Sequence, residues 1–304
     1  MEKVYDVVVV GAGVAGMTAA LYLKRSGLEP IIIEKSAPGG QINRTASVEN
    51  YPGFTNIDGP TLAVNIFTQV NGLGIKYKSG NVQQIIDKDD YKQLILENEI
   101  INTKTIIIAT GRQPRELGLP NEKSLTGRGV SWCAVCDGYF FKDKDVAVVG
   151  GGDSALEETL FLSSIVNKVY LIHRRDTFRA NEELQSKVKK LKNVEYVLNS
   201  NIIEIKENNN KLDSIIIKDN NDKLRELLVS GLFIYIGSVP DTQSFKSLDI
   251  LNEKDYIIVD KNYETSAKGI YACGDVISKN LYQLTTAVGD ASTAAYNLKK
   301  TYFS

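Results

Sequence analysis

The chain has 304 residues with a formal net charge of −1; 43% of the residues are hydrophobic and 24% are charged. This length corresponds to about two domains, and the balanced charge provides no basic field that would attract nucleic acid or an anionic membrane. No apolar run approaches the roughly 20 residues that cross a bilayer, and the N-terminus lacks a signal-peptide pattern, so we expect a cytoplasmic protein without nucleic-acid or membrane partners.

Two segments of the chain repeat the order strand, glycine turn, helix, strand. Short β-branched strands that alternate with helices are typical of parallel sheets covered on both faces. The sequence therefore predicts two dinucleotide-binding α/β domains. The repeated elements are Val7–Val10, the turn 11–16, a helix through Lys24 and Ile31–Glu34 in the first segment, and Val146–Val149, the turn 150–155, a helix through about Ser163 and Val169–Ile172 in the second.

Two later strands have a similar form and suggest how the domains are connected. The runs 105–109 and 232–236 are apolar, and each is followed closely by a glycine. Each run can close the sheet of its own domain, which makes 112–117 and 237–241 the candidate crossings between domains. Each crossing contains a proline, which suits a defined connection.

The end of the chain contains one more strand, at about 269–273, and a helix from about Gln283. Both are expected to complete the first domain. We therefore predict a discontinuous first domain made of residues 1–113 and 241–304, with the second domain, residues 114–240, inserted into it; the motifs and the family resemblance given below imply that the first binds FAD and the second NADPH.

The first glycine turn follows the pattern GxGxxG with Gly11, Gly13 and Gly16. Gly11 permits a tight turn, Gly13 lets the backbone approach a pyrophosphate, and Gly16 lets the helix pack closely on the strand. The N-terminus of the following helix offers N–H groups and partial positive charge to phosphates. Glu34 ends the next strand, where a carboxylate accepts hydrogen bonds from a ribose 2′-hydroxyl and repels a 2′-phosphate. The site therefore suits FAD or NAD rather than NADP.

The second glycine turn is followed by positive charge instead of an acid. Gly150, Gly152 and Ala155 fit GxGxxA, and the next strand ends in a basic segment. Guanidinium groups pair bidentately with phosphate oxygens, so the arginines predict a clamp for the 2′-phosphate of NADPH. The single histidine is as well explained by a strand-end residue with satisfied hydrogen bonds as by contact with the adenosine. The candidate NADPH residues are Gly150, Gly152, Asp153, Ser154, His173, Arg174, Arg175 and Arg179.

Cys133 and Cys136 form a CxxC pair, a pattern that serves redox chemistry or metal binding. A structural zinc site needs four ligands, and only Cys273 and His173 remain, so we predict no metal. A helical turn can bring the two sulfurs together, and its N-terminus favours a thiolate. Cys133, nearer that N-terminus, is expected to be the more exposed thiol. Asp137 is predicted to act as acid and base in the exchange, with a helix or turn cap as the alternative.

The position of the CxxC pair implies a motion. It lies at the entry of the second domain, which also carries the predicted NADPH site. A nicotinamide and a disulfide on one domain are not expected to reach a flavin on the other domain together. We therefore expect the NADPH domain to rotate between two half-reactions.

Several motifs occur together along almost the whole chain: GAGVAG at 11–16, PGGQ at 38–41, ENYPG at 49–53, ATG at 109–111, GRGVSWCAVCDG at 127–138, GGGDSALEE at 150–158, HRRDTFRA at 173–180 and YACGDV at 271–276. In this combination the chain resembles the low-molecular-weight, bacterial-type NADPH-dependent thioredoxin reductases. The resemblance implies a homodimer of an α/β fold with two Rossmann-like, three-layer ββα domains. It also implies electron flow from NADPH through FAD to Cys133 and Cys136, and then to thioredoxin or a thioredoxin-like protein.

The resemblance further implies which residues contact FAD. Asp275 matches the aspartate that holds the ribityl chain in the family, and the backbone of Gln283 would lie near the isoalloxazine. The implied FAD contacts are Gly11, Gly13, Gly16, Glu34, Gln41, Asn50, Thr110, Gly111, Asp275 and Gln283.

Some positions depart from the family pattern. The family usually has Arg-Gln where this chain has Tyr282-Gln283, which would remove a charge near the cofactor. Arg112 and Trp132 are also bulkier than expected, and Trp132 could pack over the flavin, touch a partner protein or be buried. Cys273 is interpreted as a small buried apolar residue.

Three other functions are considered. A ferredoxin-dependent flavin thioredoxin reductase lacks nucleotide-binding glycines and arginines, so 150–152 and Arg174-Arg175 argue against it. A ferredoxin or flavodoxin:NADP reductase of this fold lacks the CxxC pair. A non-catalytic NAD(P)H-binding protein has no support beyond the rule that a fold does not fix a function.

Overall fold

The computed structural model describes residues 3–45, 48–88 and 90–304. The chain forms two compact units: unit 1 is Met1–Gln113 with Val239–Ser304, and unit 2 is Pro114–Ser238. Within the described residues, no helix combines the length and the apolar character needed to cross a membrane.

The strands are β1 Val4–Val10, β2 Ile31–Glu34, β3 Lys76–Ser79, β4 Val82–Asp87, β5 Lys92–Leu96, β6 Ile100–Ile108, β7 Arg112–Pro114, β8 Val130–Ser131, β9 Asp145–Gly150, β10 Lys168–Ile172, β11 Val194–Val197, β12 Ser200–Asn208, β13 Lys211–Asp219, β14 Leu224–Leu228, β15 Gly231–Tyr235, β16 Ser238–Pro240 and β17 Ile270–Ala272. The α-helices are α1 Val14–Arg25, α2 Gly59–Gly72, α3 Ala134–Asp137, α4 Asp153–Ser163, α5 Glu182–Lys189 and α6 Leu284–Tyr302. Short 3-10 helices occur in addition, among them Gly40–Arg44 and Gly274–Val276.

Unit 1 is built on a sheet with the strand order β3-β2-β1-β6-β5-β4. Strands β1, β2, β3 and β6 are parallel, whereas β4 and β5 form an antiparallel extension. Along one edge of β6, the first residues pair with β5, and Ile106–Ile108 pair with β17. This double pairing explains why β6 begins earlier than the strand predicted at 105–109.

Both faces of the unit 1 sheet are buried, as expected for a parallel sheet. Successive side chains of β1 point to opposite faces. Val7 and Val9 pack in one core cluster with residues of α1 and α6, and Val8 and Val10 pack in another with β4, β5 and Phe245. The sheet therefore holds the carboxyl end of β1, where the first glycine turn begins, on a rigid support.

Unit 2 repeats the plan with a parallel sheet in the order β11-β10-β9-β15-β8. One face packs against α3 and α4 through Val146 and Val148. The opposite face packs, through Ala147 and Val149, against the antiparallel sheet β12-β13-β14. The predicted α/β fold with parallel sheets is confirmed, and unit 2 has the three layers of a ββα arrangement.

Candidate active site

The glycine turn after β1 is shaped by close backbone contacts. Gly11 has a φ of 106°, and a Cβ there would lie 2.5 Å from the carbonyl oxygen of Ala109. A Cβ on Gly16 would lie 1.9 Å from the carbonyl oxygen of Gly11, so α1 packs directly on the turn. A Cβ on Gly13 would meet nothing within 4 Å. The turn is therefore closed on its inner side and open at Gly13, as a pyrophosphate-binding turn requires.

Glu34, at the end of β2, reaches back to this turn. One carboxylate oxygen accepts a hydrogen bond of 2.6 Å from the N–H of Ala12, and the other accepts one of 2.8 Å from the N–H of Ser36. A cleft lies here, with Gly11, Glu34 and Thr110 among its lining residues. The carboxylate at this position favours a ribose hydroxyl over a 2′-phosphate.

Gln41 and Thr110-Gly111 lie beside the same turn. The side-chain amide of Gln41 donates a hydrogen bond to the carbonyl of Arg112, directly after Gly111. The Thr110 hydroxyl donates to the carbonyl of Asp241 at 2.7 Å. A Cβ on Gly11 would come within 3.1 Å of the Cα of Thr110. The structure therefore brings these predicted FAD residues together with the first glycine turn.

Asn50 and Gln283, which lie far apart in the sequence, are in direct contact. The Asn50 amide nitrogen donates a 3.0 Å hydrogen bond to the side-chain oxygen of Gln283. Gln283 is the N-cap of α6, and its backbone N–H is bonded to the hydroxyl of Thr286. This capping box fixes the start of the helix.

Asp275 lies next to α1, because a Cβ on the preceding Gly274 would come within 2.7 Å of the Cβ of Ala15. Its Oδ1 is buried and accepts no hydrogen bond from the described residues, although the ammonium of Lys279 lies 3.4 Å away. Burial raises the pKa of Asp275, while the Lys279 and Arg112 cations act in the opposite direction. A buried acceptor at Asp275 and the open backbone at Gly13 together fit a bound FAD.

Arg112 places a positive charge near the start of α6. Its guanidinium carbon lies 4.5 Å from the ring centroid of Tyr282 and 6.0 Å from that of Tyr256. The two rings are 5.6 Å apart. A cation over an aromatic face is attracted by the ring quadrupole. Tyr282 itself contributes no positive charge, and the guanidinium next to it comes from Arg112 in another part of the chain.

The second glycine turn, after β9, is equally constrained. A Cβ on Gly150 would lie 2.4 Å from the carbonyl oxygen of Tyr235, and a Cβ on Gly151 would lie 2.2 Å from the ring of His173. A Cβ on Gly152 would meet nothing within 4 Å. This turn is also closed on one side and open at its second motif glycine.

His173 is buried against this turn. Its Nε2–H donates a 3.1 Å hydrogen bond to the carbonyl of Thr177, and its ring stacks on Phe178 with centroids 5.3 Å apart. Burial lowers the pKa of His173. This placement favours shaping the Gly151 backbone over direct contact with an adenosine.

The basic segment after β10 is tied to the same turn by its backbone. The N–H of Arg179 donates a 2.7 Å hydrogen bond to the carbonyl of Gly151. The Asp153 carboxylate accepts hydrogen bonds from the backbone and side-chain nitrogens of Asn181, at 2.8 and 3.1 Å. Ser154 is exposed in the first turn of α4. The predicted NADPH residues of the glycine turn and of the basic segment therefore meet at one edge of unit 2.

The predicted arginine clamp is exposed. Arg174, Arg175 and Arg179 all lie at the surface, and none of them forms an ion pair with another described residue. Three cations beside an open glycine turn form a site of positive charge that can receive a phosphate.

Cys133 and Cys136 are joined in a disulfide at the start of α3. Cys133 is the N-cap of this helix, and its sulfur accepts a 3.1 Å hydrogen bond from the N–H of Cys136. Cys133 is buried, with 6% exposure, whereas Cys136 is exposed. The expectation that Cys133 is the more exposed residue is therefore wrong: it lies two residues after the buried strand β8, and Cys136 lies one helical turn further along the chain.

Asp137 is connected to the disulfide segment through Ser131. Its carboxylate accepts a 2.6 Å hydrogen bond from the Ser131 hydroxyl, and the same hydroxyl oxygen accepts a 3.0 Å bond from the N–H of Cys133. The hydroxyl of Tyr235, at the end of β15, accepts a 2.8 Å bond from the N–H of Ala134. The pair is therefore held by hydrogen bonds from β8 and β15 as well as by its own helix.

Packing covers two further positions, one fully and one partly. Cys273 is fully buried, as predicted, and burial raises the pKa of its thiol. Trp132 is partly buried against the core cluster of unit 2 that includes Val149.

Comparison with known proteins decides the family. A family model described as pyridine nucleotide-disulphide oxidoreductase matches residues 5–291. The thioredoxin reductase of Listeria innocua is 44% identical over 300 residues, which are 98% of this chain and 94% of that protein. The chain belongs to the thioredoxin reductase family. It is therefore an oxidoreductase.

Other thioredoxin reductases agree with this assignment. That of Bacillus subtilis is 43% identical over 299 residues, covering 98% of this chain and 95% of that protein. The thioredoxin reductase of Lactococcus lactis, whose crystal structure is in the FR conformation, is 43% identical in sequence to this chain. The match has a TM-score of 0.90 and covers 97% of this chain and 98% of that chain. The predicted family is confirmed.

The structure adds residues to this thioredoxin reductase site that the sequence reasoning did not assign. Ser131 and Tyr235 hold the disulfide segment, and Lys279 faces Asp275. Ser131 lies within the cysteine motif, so its proximity was available as a signal. Tyr235 and Lys279 could not be found from spacing, because their contacts depend on how distant segments pack.

Proposed function

We propose that this chain catalyses the NADPH-dependent reduction of a thioredoxin disulfide with FAD as the internal electron carrier. The observation that carries the proposal is the Cys133–Cys136 disulfide, whose exposed Cys136 lies in the same unit as an arginine-flanked glycine turn. A disulfide that has one exposed cysteine and lies at a helix N-terminus is suited to exchange.

The two cofactors are assigned to different units. FAD is proposed for unit 1, where Gly13 is open, Glu34 accompanies the turn and a buried oxygen of Asp275 accepts no hydrogen bond from the described residues. NADPH is proposed for unit 2, supported by the open Gly152 and the exposed arginines. The different charges after the two turns separate a ribose hydroxyl from a 2′-phosphate.

FAD, when bound, would accept two electrons from NADPH and deliver them to the disulfide. The Cys133–Cys136 bond breaks as the pair takes up two electrons and two protons. Asp137, which accepts a hydrogen bond from the Ser131 hydroxyl, is proposed as the acid and base that exchanges protons with the pair. Cys136 then gives up its proton and attacks the thioredoxin disulfide as a thiolate, and the thioredoxin sulfur that leaves takes up a proton. Cys133, deprotonated in turn, attacks the Cys136 sulfur of the mixed disulfide, which restores the internal bond, and the second thioredoxin sulfur takes up a proton and leaves as part of the dithiol.

The proposed sites lie in different units, which supports a mechanism in which the NADPH site and the disulfide reach the flavin in turn. The NADPH turn and the disulfide both belong to unit 2, whereas the proposed flavin site belongs to unit 1. We propose that unit 2 rotates between the two half-reactions. Gly237 has a φ of 104° next to β16, and Pro114 and Pro240 end β7 and β16. These residues place defined backbone turns where the chain passes between the units.

The surface beside the disulfide supports a protein as the electron acceptor. Tyr139 and Phe140 follow directly after the CxxC motif and its aspartate and are 69% and 73% exposed. Adjacent exposed aromatic side chains are typical of interaction sites. We propose that thioredoxin or a thioredoxin-like protein docks here.

We also propose a homodimer in a reducing compartment, the cytoplasm. Tyr22 on α1 and Tyr296 on α6 are exposed apolar side chains of unit 1 that a second subunit can cover. Light scattering coupled to size-exclusion chromatography measures the subunit number. A purely monomeric elution over the micromolar range would contradict the dimer.

Two rival enzymes are each excluded by an experiment on the FAD-loaded protein. Anaerobic NADPH should bleach the flavin absorbance, which a ferredoxin-dependent enzyme would not show. Cys136→Ser should abolish thioredoxin reduction and keep NADPH-dependent reduction of artificial acceptors, which a ferredoxin or flavodoxin:NADP reductase would not predict. Cys273→Ala is the matched control, because Cys273 is buried and outside the disulfide. Undiminished thioredoxin reduction by Cys136→Ser would refute the proposed route.

A further inference from the structure

A buried group of charges lies between the 3-10 helix Gly274–Val276 and α6 in unit 1. The Lys279 side chain is 13% exposed, and its ammonium donates to Asp290 at 2.8 Å and to the Thr286 hydroxyl at 3.3 Å. The same ammonium lies 3.4 Å from Asp275. A buried ammonium is costly unless it is paired, so these contacts fix where the charge lies.

Asp290 is fully engaged within this group. One of its oxygens accepts from Lys279, and the other accepts a 2.8 Å hydrogen bond from the hydroxyl of Tyr263. Asp290 therefore anchors Lys279. Asp275 differs, because its Oδ1 accepts no hydrogen bond from the described residues.

Two cations and one carboxylate influence the charge of Asp275. Lys279 and Arg112 are the cations that act on it, and Asp290 is the neighbouring carboxylate. Burial alone would favour the protonated acid, and the two cations oppose this effect. The Lys279 ammonium lies 3.4 Å from the carboxylate, so its removal weakens the compensation for the negative charge of Asp275.

We propose that Lys279 is a positioning residue for the cofactor: it holds the Asp275 carboxylate in place as a hydrogen-bond acceptor for FAD. This inference rests on the proposed FAD site in unit 1. It assigns a role to a residue that does not itself need to touch the cofactor. Asp290 and Tyr263 support Lys279 from the other side.

The test measures FAD affinity of deflavinated full-length protein by fluorescence titration. Lys279→Met should raise the FAD dissociation constant by about tenfold, the size expected for weakening a charged hydrogen bond. Lys279→Arg should recover most of the affinity. The matched control is Lys92→Met, because Lys92 is also buried in unit 1 and paired with a carboxylate, Asp87, at 2.7 Å.

The pH dependence distinguishes positioning from a structural effect. Without Lys279, the pKa of Asp275 should rise further, so the affinity of Lys279→Met for FAD should recover as pH increases. The wild type should change much less. If Lys279→Met does not fold, as judged by thermal melting, Lys279→Gln replaces it.

The outcomes separate this inference from the function on which it rests. Wild type that binds no FAD would overturn the proposed function itself. Wild type that binds FAD, with Lys279→Met binding equally well, would overturn only the role of Lys279. The same holds if affinity falls equally at every pH and Lys279→Arg gives no recovery.

Discussion

Arg174 and Arg175 carry charge that the folded chain leaves unpaired, at least among the residues that the structure describes. An exposed guanidinium loses little when a phosphate arrives, because its donors are still hydrated and free to exchange water for phosphate oxygens. The backbone bond from Arg179 to Gly151 holds the segment beside the turn. The charge of this site is therefore positioned by the main chain, and the side chains are available for the ligand.

The first prediction concerns nicotinamide preference. Replacing both Arg174 and Arg175 by Ala should raise the KM for NADPH by about tenfold or more, as expected for lost charged hydrogen bonds, and leave the KM for NADH nearly unchanged. Steady-state kinetics with both nucleotides measures this difference. Arg128→Ala, another exposed arginine of unit 2, serves as the control. Retention of the full NADPH preference by the double variant would contradict the clamp.

The exposure of Cys133 and Cys136 depends on tertiary packing and not on their spacing in the sequence. The CxxC spacing correctly predicted a helical turn that starts at the pair. It could not determine which cysteine faces solvent, because Cys133 is covered by elements such as β8 that precede it. Similarly, the charge of Arg112 over Tyr282 depends on packing between distant segments.

At the scale of elements, glycines in the turn between β1 and α1 have two different functions. Gly16 is required for helix packing, because any Cβ would overlap the Gly11 carbonyl. Gly13 has an ordinary φ of −71° and open space around it. One glycine therefore serves the fold, and the other leaves room for a ligand.

The second prediction follows from this contrast. Gly13→Ala should fold with near-normal thermal stability and lose most of its FAD, because the methyl group occupies the approach to the pyrophosphate. Gly16→Ala should lower the free energy of unfolding by about 1–3 kcal/mol or more, as overpacking does. FAD content after purification and the melting temperature of the deflavinated protein are the measurements. Normal FAD content in Gly13→Ala would show that the turn does not bind the cofactor.

Helix α4 contains a buried acid, and its titration gives the third prediction. Burial, assisted by the neighbouring Glu157, raises the pKa of Glu158 from 4.5 to about 7. The unfolded chain therefore loses this proton at lower pH than the folded chain, and stability should fall as pH rises from about 4.5 to about 7. Glu158→Gln should remove this loss and be more stable than wild type by about 3 kcal/mol near pH 8.5.

Urea unfolding of wild type and Glu158→Gln at pH values near 5 and 8.5 measures this effect. The difference between the two proteins should be small at the lower pH and large at the higher pH. Equal stability of the two proteins near pH 8.5 would show that burial does not raise the pKa of Glu158 in the folded protein. A loss of stability in Glu158→Gln would indicate that the acid has a stabilising partner in solution.

At the scale of the whole molecule, local patterns predicted most of the architecture. Both glycine turns, their strands and helices, and the contrast between Glu34 and the arginines follow from short-range periodicity and composition. The group around Asp275 did not, because Lys279, Asp290 and Tyr263 meet only after α6 packs on unit 1. Short-range signals specify elements, whereas buried polar networks depend on the assembled core.

The fourth prediction concerns the complete electron route, and free-thiol counting under anaerobic conditions tests it most directly. After one equivalent of NADPH per chain, the FAD-loaded protein should gain two thiols that mass spectrometry locates at Cys133 and Cys136, the residues joined in the disulfide. The deflavinated protein should gain none with the same NADPH. Thiol formation without FAD, or a reduced flavin with an intact Cys133–Cys136 bond, would contradict the proposed route from NADPH through FAD to the disulfide.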